Sequence, residues 1–247
     1  MPAVQDYIYP GIFEFIGSVI LGAAINQMKR EPVQGLVLPF VCLAPHVIAW
    51  RSSRGHLNPA VSLANLLRRD TKFNFGHFLI YIIAQFSGFL CGLMLAWWFN
   101  REPGRIEVFK DAAETDQIHE AVVMEFVGSL IFIIVHLLST HTKTSVASNW
   151  GVNCIVVSFF YGSLVYIFST YTGGSFNPAY GFAQNITDLW KTGKDISVEY
   201  MWMYVLVPLV AAIASWPIYE IVYKPAYEAT SQNQVNMDKL ENEVHVY

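Results

Sequence analysis

Two short stretches, GHLNPAVSLANLL at residues 55–67 and GGSFNPAYGFAQN at residues 173–185, carry the same Asn-Pro-Ala triplet in opposite halves of a chain of 247 residues. Asn is favoured at the position before a helix, and Pro is preorganised for the first helical turn, so each triplet predicts the start of a helix. The segments Asn58–Arg69 and Asn177–Trp190 would each extend only about 20 Å, which is less than the ~30 Å hydrocarbon core of a bilayer. We interpret both as half-spans.

The composition indicates that lipid is the solvent of this chain. Hydrophobic residues make up 54% and charged residues 14% of the sequence, with a mean hydropathy of +0.37. Soluble domains contain roughly 45–50% apolar and about 25% charged residues. Six apolar stretches predict membrane-spanning helices, at residues 8–25, 36–50, 78–99, 121–138, 152–171 and 200–223. The net charge of −4 excludes a strongly basic nucleic-acid binder, and the three cysteines have no metal-ligand spacing.

An internal repeat organises these spans. EFIGS at residues 14–18 returns as EFVGS at 125–129, and the two Asn-Pro-Ala triplets follow in the same order. Each half has three full spans, an odd number, so the two halves must have opposite orientations in the membrane. The sequence predicts an all-α membrane protein with six transmembrane helices and two re-entrant half-helices in inverted repeats. We expect one domain over residues 1–223, with repeats at about 8–99 and 120–223, and a disordered cytoplasmic tail over residues 224–247.

The two half-helices have a predictable meeting point. The chain before each triplet is irregular and contains glycine, and such backbone is tolerated at membrane depth only where it is buried in protein or lines a water-filled cavity. We expect the Asn58 and Asn177 side-chain oxygens to cap the helices, leaving both amide NH₂ groups free to donate to a passing oxygen. Each helix would also point its N-terminus, equivalent to roughly +0.5 charge, at the same midplane point. This arrangement favours neutral solutes and opposes cations and protons.

These residues resemble the major intrinsic protein family, the aquaporins and glycerol facilitators. The resemblance covers nearly all of residues 8–223. It rests on both Glu-Phe-x-Gly motifs, the stretches HLNPAV and YTGGSFNPA, and shorter matches at YIIAQ and VPL. Two such triplets in an internally repeated six-span chain are a specific signal.

The resemblance implies a passive channel for water and small neutral solutes, with no chemistry, cofactor or metal. It implies that Asn58, Pro59, Ala60, Asn177, Pro178 and Ala179 form the pore motifs. Glu14 and Glu125 would brace the re-entrant loops, and His56 would line the cytoplasmic half. The family also implies a homotetramer in the bilayer with cytoplasmic termini, which agrees with the basic residues clustered around the first re-entrant loop.

The chain departs from the family pattern directly after the second triplet. Most members have Arg there and this chain has Tyr180. By resemblance, the other three positions of the outer selectivity filter are Leu38, Val165 and Gly174. The expected filter is therefore uncharged, with the Tyr180 hydroxyl as its only side-chain donor. Selectivity should be looser than in a typical water channel, unless the Tyr180 ring closes the mouth.

Three alternatives stay open at this point. Tyr180 could occlude the passage in a structural or adhesive membrane protein that keeps the fold without transport. A glycerol or ammonia facilitator is a second alternative, although Gly181 stands where glycerol facilitators usually have Asp. Proton-coupled transport through Glu14 or Glu125 is a third, which their match to bracing positions disfavours.

Overall fold

The computed structural model describes residues 4–27, 34–100, 118–141, 144–193 and 196–230, and all regular structure within these ranges is helical. The helices are α1 (Val4–Gln27), α2 (Gln34–Ser53), α3 (Pro59–Leu67), α4 (Phe75–Asn100), α5 (Ile118–Thr140), α6 (Trp150–Thr172), α7 (Pro178–Thr192), α8 (Ile196–Glu199) and α9 (Met201–Pro217). A π-helical turn, Ile218–Tyr223, continues α9.

Six of the described helices are long and apolar enough to cross a membrane, as the sequence predicts. They are α1, α2, α4, α5, α6 and the helix formed by α9 with its continuation. The second span is longer than the predicted residues 36–50, because α2 runs through both Pro39 and Pro45 to Ser53. Large apolar side chains such as Ile83 and Ile213 stay exposed on the outer faces of these helices, which suits contact with lipid.

The last span ends later than expected. Helical backbone continues past Tyr223 to Thr230, so residues 224–230 do not belong to a disordered tail. Residues 231–247 lie outside the described part of the chain, as do residues 101–117 of the segment that joins the two repeats.

Small residues bring α1 and α4 close together. A Cβ atom added at Gly88 would lie 2.7 Å from the backbone oxygen of Phe15 and 2.8 Å from the Cβ atom of Ser18. One added at Gly92 would meet the backbone oxygen of Val19. Helices in lipid associate through such close backbone approach, since lipid tails are as apolar as their side chains. Gly88 and Gly92 thus allow a close crossing of α1 and α4.

The two short helices begin at the Asn-Pro-Ala triplets, as predicted. The Asn58 side-chain oxygen accepts a hydrogen bond from the Ala60 N–H at 2.8 Å. The Asn177 oxygen accepts from Ala179 at 3.1 Å and from Tyr180 at 3.3 Å. With 9 and 15 residues, α3 and α7 are shorter than a bilayer crossing.

A buried glutamate holds the loop before each short helix. The Glu14 carboxylate accepts the backbone N–H groups of His56 at 2.9 Å and Leu57 at 2.6 Å. The Glu125 carboxylate accepts those of Ser175 at 3.1 Å and Phe176 at 2.9 Å. The hydroxyl groups of Ser53 and Thr172 donate to these carboxylates as well.

The chain needs this support because the residue before each Asn is strained. Leu57 has a φ of 44° and Phe176 a φ of 50°. Positive φ values are uncommon for bulky residues, which persist there only when the surrounding structure holds them. The carboxylates bind the N–H groups of these same two residues, so each glutamate fixes the turn that aims its Asn.

We predict that Gly88→Val will destabilise the bundle. The added side chain meets backbone atoms of α1, which cannot move aside as a flexible side chain can, and overpacking of this kind costs about 1–3 kcal/mol. The thermal unfolding temperature of the purified protein in detergent should fall. Leu95→Val places the same side chain at an exposed position of α4 and should change it little; equal effects of the two substitutions would contradict the close crossing.

We predict that Glu125→Gln will destabilise the second re-entrant loop. The new NH₂ group faces at least one backbone N–H, and an unsatisfied buried donor costs about 1–3 kcal/mol. Thermal unfolding in detergent should detect the loss. The control is Glu120→Gln at an exposed position of the same helix, and the bracing role is wrong if both variants unfold at the wild-type temperature.

Candidate functional site

The two Asn-Pro-Ala motifs meet tip to tip. The Asn58 amide donates to the backbone carbonyl of Phe176 at 2.8 Å, and the Asn177 amide donates to the carbonyl of Leu57 at 2.7 Å. Each bond links one repeat to the strained residue of the other. The N-termini of α3 and α7 therefore face one another, and their partial positive charges add at the meeting point.

This crossing corrects one expectation about the asparagines. Both amide NH₂ groups were expected to be free to donate to a passing oxygen, whereas one N–H of each now binds the opposite loop. An amide nitrogen carries two hydrogens, so each Asn has a single N–H left for a permeant. The sequence could not show this, because the acceptor carbonyl lies more than a hundred residues away.

The four expected filter residues are all buried, and their side chains have different neighbours. A Cβ atom added at Gly174 would lie 2.8 Å from the backbone oxygen of Val165, so these two positions are in contact. Leu38 lies against α6, where an added Cβ atom at Gly162 would lie 2.8 Å from its carbonyl carbon. These three positions thus gather where α2 and α6 pack together.

Tyr180 is bound by side chains of α1 and α4. Its hydroxyl accepts a hydrogen bond from the Asn26 amide at 3.2 Å, and its ring lies 5.5 Å from the ring of Phe89. The side chain is 1% exposed. The Tyr180 side chain is therefore held in the helix packing, at the position where most of the family has a charged side chain.

Three buried histidines lie in the other half of the molecule. The His56 ring nitrogen is 3.1 Å from the Ser62 hydroxyl, and its ring is 5.4 Å from that of His136. His136 also lies 3.3 Å from the carbonyl oxygens of Arg54 and Gly55. His46 contacts the Cys42 carbonyl at 2.7 Å. His46 and His136 thus have partners within the bundle.

A polar cavity of about 450 Å³ leads to the first triplet. It reaches from Asp6 and Lys72 at the end of the bundle to His56, two residues before Asn58. Its other walls include Ser53, Arg54, Asn65, Tyr81, Thr140 and His141. Such a vestibule can admit water and small polar molecules from this side.

An ion-pair cluster closes one wall of this vestibule. The Asp70 carboxylate contacts Arg68 at 2.9 Å, His141 at 3.0 Å and Lys224 at 3.2 Å. Burial would raise the pKa of Asp70, but the charge and hydrogen bond of Arg68 and the hydrogen bond of Lys224 hold it below its ordinary value. The cluster joins the end of α3 to the helix that follows α9.

Two buried polar residues of the site were not predicted from the sequence. Gln85 donates to the Glu14 carboxylate at 2.7 Å and to the Ser62 hydroxyl at 3.0 Å. Tyr161 donates to the carbonyl of Ser175 at 3.1 Å, beside the second triplet. A signal for Tyr161 was present, because it precedes Val165 by one helical turn and so lies on the same face of α6.

Comparisons with known proteins found similar sequences over most of this chain. The profile described as major intrinsic protein matches residues 12–219. Aquaporin TIP2-3 of Arabidopsis thaliana is 26% identical, with 92% of this chain and 88% of that protein covered. Glycerol uptake facilitator protein-like 6 of Lactiplantibacillus plantarum is 29% identical, with coverage of 81% and 91%.

A solved structure shows the same fold. The X-ray structure of the aquaglyceroporin from Plasmodium falciparum superposes with a TM-score of 0.77 at 19% identity, covering 90% of this chain and 99% of that one. The six apolar helices and the extent of the family match make this chain an integral, multi-pass membrane protein. It belongs to the major intrinsic protein family.

Proposed function

We propose that this protein is a passive channel for water and other small neutral solutes, with the two Asn-Pro-Ala motifs at mid-membrane and an uncharged outer filter. The observation that carries the proposal is the pair of amides, Asn58 and Asn177, which cross between the tips of two oppositely directed half-helices. Each has one further N–H for a permeant oxygen, and both helix dipoles oppose a cation at that point.

The two ends of the proposed path differ in width and polarity. The vestibule that leads to His56 is wide and polar, whereas the expected filter residues Leu38, Val165, Gly174 and Tyr180 are each buried and uncharged. The barrier to cations therefore rests mainly on the two helix N-termini rather than on a fixed charge at the outer mouth. We propose that selection among neutral solutes is correspondingly loose, so that ammonia or small polyols can accompany water.

The family resemblance supports an orientation in the membrane and an assembly. We propose that the vestibule opens to the cytoplasm together with both termini, since basic residues such as Arg54, Arg68 and Lys72 gather at that end. A homotetramer with one passage in each subunit is part of the same proposal. Its partners are lipid and the permeating solutes, with no cofactor and no catalytic step.

A second candidate function is supported by the burial of the outer half. Tyr161, Tyr180 and Phe132 are each 1% exposed, as are both pore asparagines, Asn58 and Asn177. A chain that keeps these rings in place at all times would be an occluded membrane protein with a structural or adhesive role. The two candidates differ in whether the purified protein conducts at all.

We predict that proteoliposomes containing the wild-type protein will change volume faster than empty liposomes after an osmotic step. Stopped-flow light scattering measures this rate, and temperature dependence distinguishes a passage from diffusion through lipid. The reason is the polar vestibule, which reaches His56, two residues before Asn58. A rate equal to that of empty liposomes would favour the occluded candidate.

We predict that Tyr180→Arg will lower glycerol and methylammonium uptake several-fold. The guanidinium would place a permanent cation and fixed donors where the wild-type chain has a phenol ring. Tyr180→Phe is the matched control, because it keeps the ring on Phe89 and removes only the hydroxyl that Asn26 binds. Unchanged uptake of both solutes in Tyr180→Arg would show that position 180 does not face the path.

A further inference from the structure

Tyr161 lies between the outer filter and the second triplet. It precedes Val165 by one turn of α6, and it stands sixteen residues before Asn177, as Cys42 stands sixteen before Asn58. Its side chain is 1% exposed. The two repeats therefore offer very different side chains at matching positions, a thiol from α2 and a phenol from α6.

The Tyr161 ring reaches across to the facing helices. Its centroid lies 4.8 Å from that of Phe132 on α5 and 6.5 Å from that of His46 on α2. Phe132 follows Glu125 by seven residues, two helical turns along the face that carries the loop-bracing carboxylate. The ring thus packs between α2, α5 and α6.

The Tyr161 hydroxyl binds a backbone carbonyl beside the second triplet. It donates to the backbone carbonyl of Ser175 at 3.1 Å, in the irregular segment before the triplet. Asn177 lies two residues after Ser175, and one N–H of its amide is already bound to the Leu57 carbonyl.

A water molecule at this place would accept from an amide and donate to a carbonyl. A phenol hydroxyl has the same capacity, with one donor hydrogen and lone pairs that accept. The Tyr161 hydroxyl therefore takes a carbonyl that a permeant could bind beside the second triplet. The Tyr180 hydroxyl binds the Asn26 amide, and its ring packs on Phe89.

We propose that Tyr161 closes the passage by occupying the permeant position at the Ser175 carbonyl, beside Asn177, and that solute crosses only when this side chain moves aside. The inference deepens the proposed channel function and rests on it. It assigns the control of conduction to Tyr161 on α6 rather than to Tyr180, which stands where most of the family has Arg.

The test compares three variants in osmotic swelling of proteoliposomes with equal protein content. Tyr161→Val removes the ring and should raise the water permeability per protein about tenfold over wild type, the effect of removing a barrier of one strong hydrogen bond. Tyr161→Phe keeps the ring and loses the hydroxyl, so its rate should lie between the two. Tyr166→Val makes the same change at an exposed position of α6 and should match wild type.

The outcomes separate this inference from the function on which it rests. Conduction at the same rate by wild type, Tyr161→Val and Tyr166→Val would overturn the role of Tyr161 and leave the channel function standing. A silent wild type with a conducting Tyr161→Val would support Tyr161 as the closure and favour the occluded candidate. Swelling no faster than empty liposomes in every variant would overturn both.

Folding of the variants is checked by size-exclusion chromatography and circular dichroism in detergent. Should Tyr161→Val fail these checks, Tyr161→Phe decides, since it preserves the packing of the ring against Phe132. A faster rate in Tyr161→Phe supports the inference, and the wild-type rate overturns it.

Discussion

The structure depends on a buried carboxylate that accepts two consecutive backbone N–H groups of a re-entrant loop. Irregular chain inside a membrane has no water to satisfy its N–H groups, and each unpaired group costs several kcal/mol. Glu14 and Glu125 remove that cost on the two sides of the bundle. They also hold Leu57 and Phe176 at positive φ, and these two residues set the direction of the asparagines. Without the carboxylates the half-helices would have no fixed meeting point.

The two repeats share the contacts that hold their re-entrant loops, and they differ in the residues beside the triplets. Tyr81 donates to the Ser53 carbonyl at 3.3 Å, and Tyr204 donates to the Thr172 carbonyl at 2.6 Å, so both loops have the same second tether. The differences lie beside the triplets, where Tyr161 of the second repeat replaces the small Cys42 of the first. The loop of the first repeat lines a polar vestibule, whereas buried aromatic side chains such as Tyr161 and Phe132 lie near the second triplet. The two repeats thus share the same framework of helices and loop contacts. The residues that differ between them make the two ends of the molecule different.

Much of this arrangement follows from local sequence rules. Asn-Pro at a helix start and a segment too short to cross lipid each have a local physical meaning, and together they predict two half-helices. The bracing by Glu14 and Glu125 was implied by the family resemblance and not by local rules. The direction of the Tyr180 side chain does not follow from such rules. Its partner Asn26 is 154 residues away, so only the packed structure decides which side the ring takes. The proposed role of Tyr161 does not follow from the sequence for a different reason. An aromatic residue in an apolar span is most often a packing residue, and only the structure shows its hydroxyl bound to the Ser175 carbonyl.

The most direct test of the central claim is an experimental density map of the protein in a lipid bilayer at a resolution that shows side-chain amides. The account predicts the Asn58 amide against the Phe176 carbonyl, the Asn177 amide against the Leu57 carbonyl, and both glutamates on the N–H groups of those same loops. Asparagine amides that are separated from the opposite loop, or glutamates that face away from both loops, would contradict it.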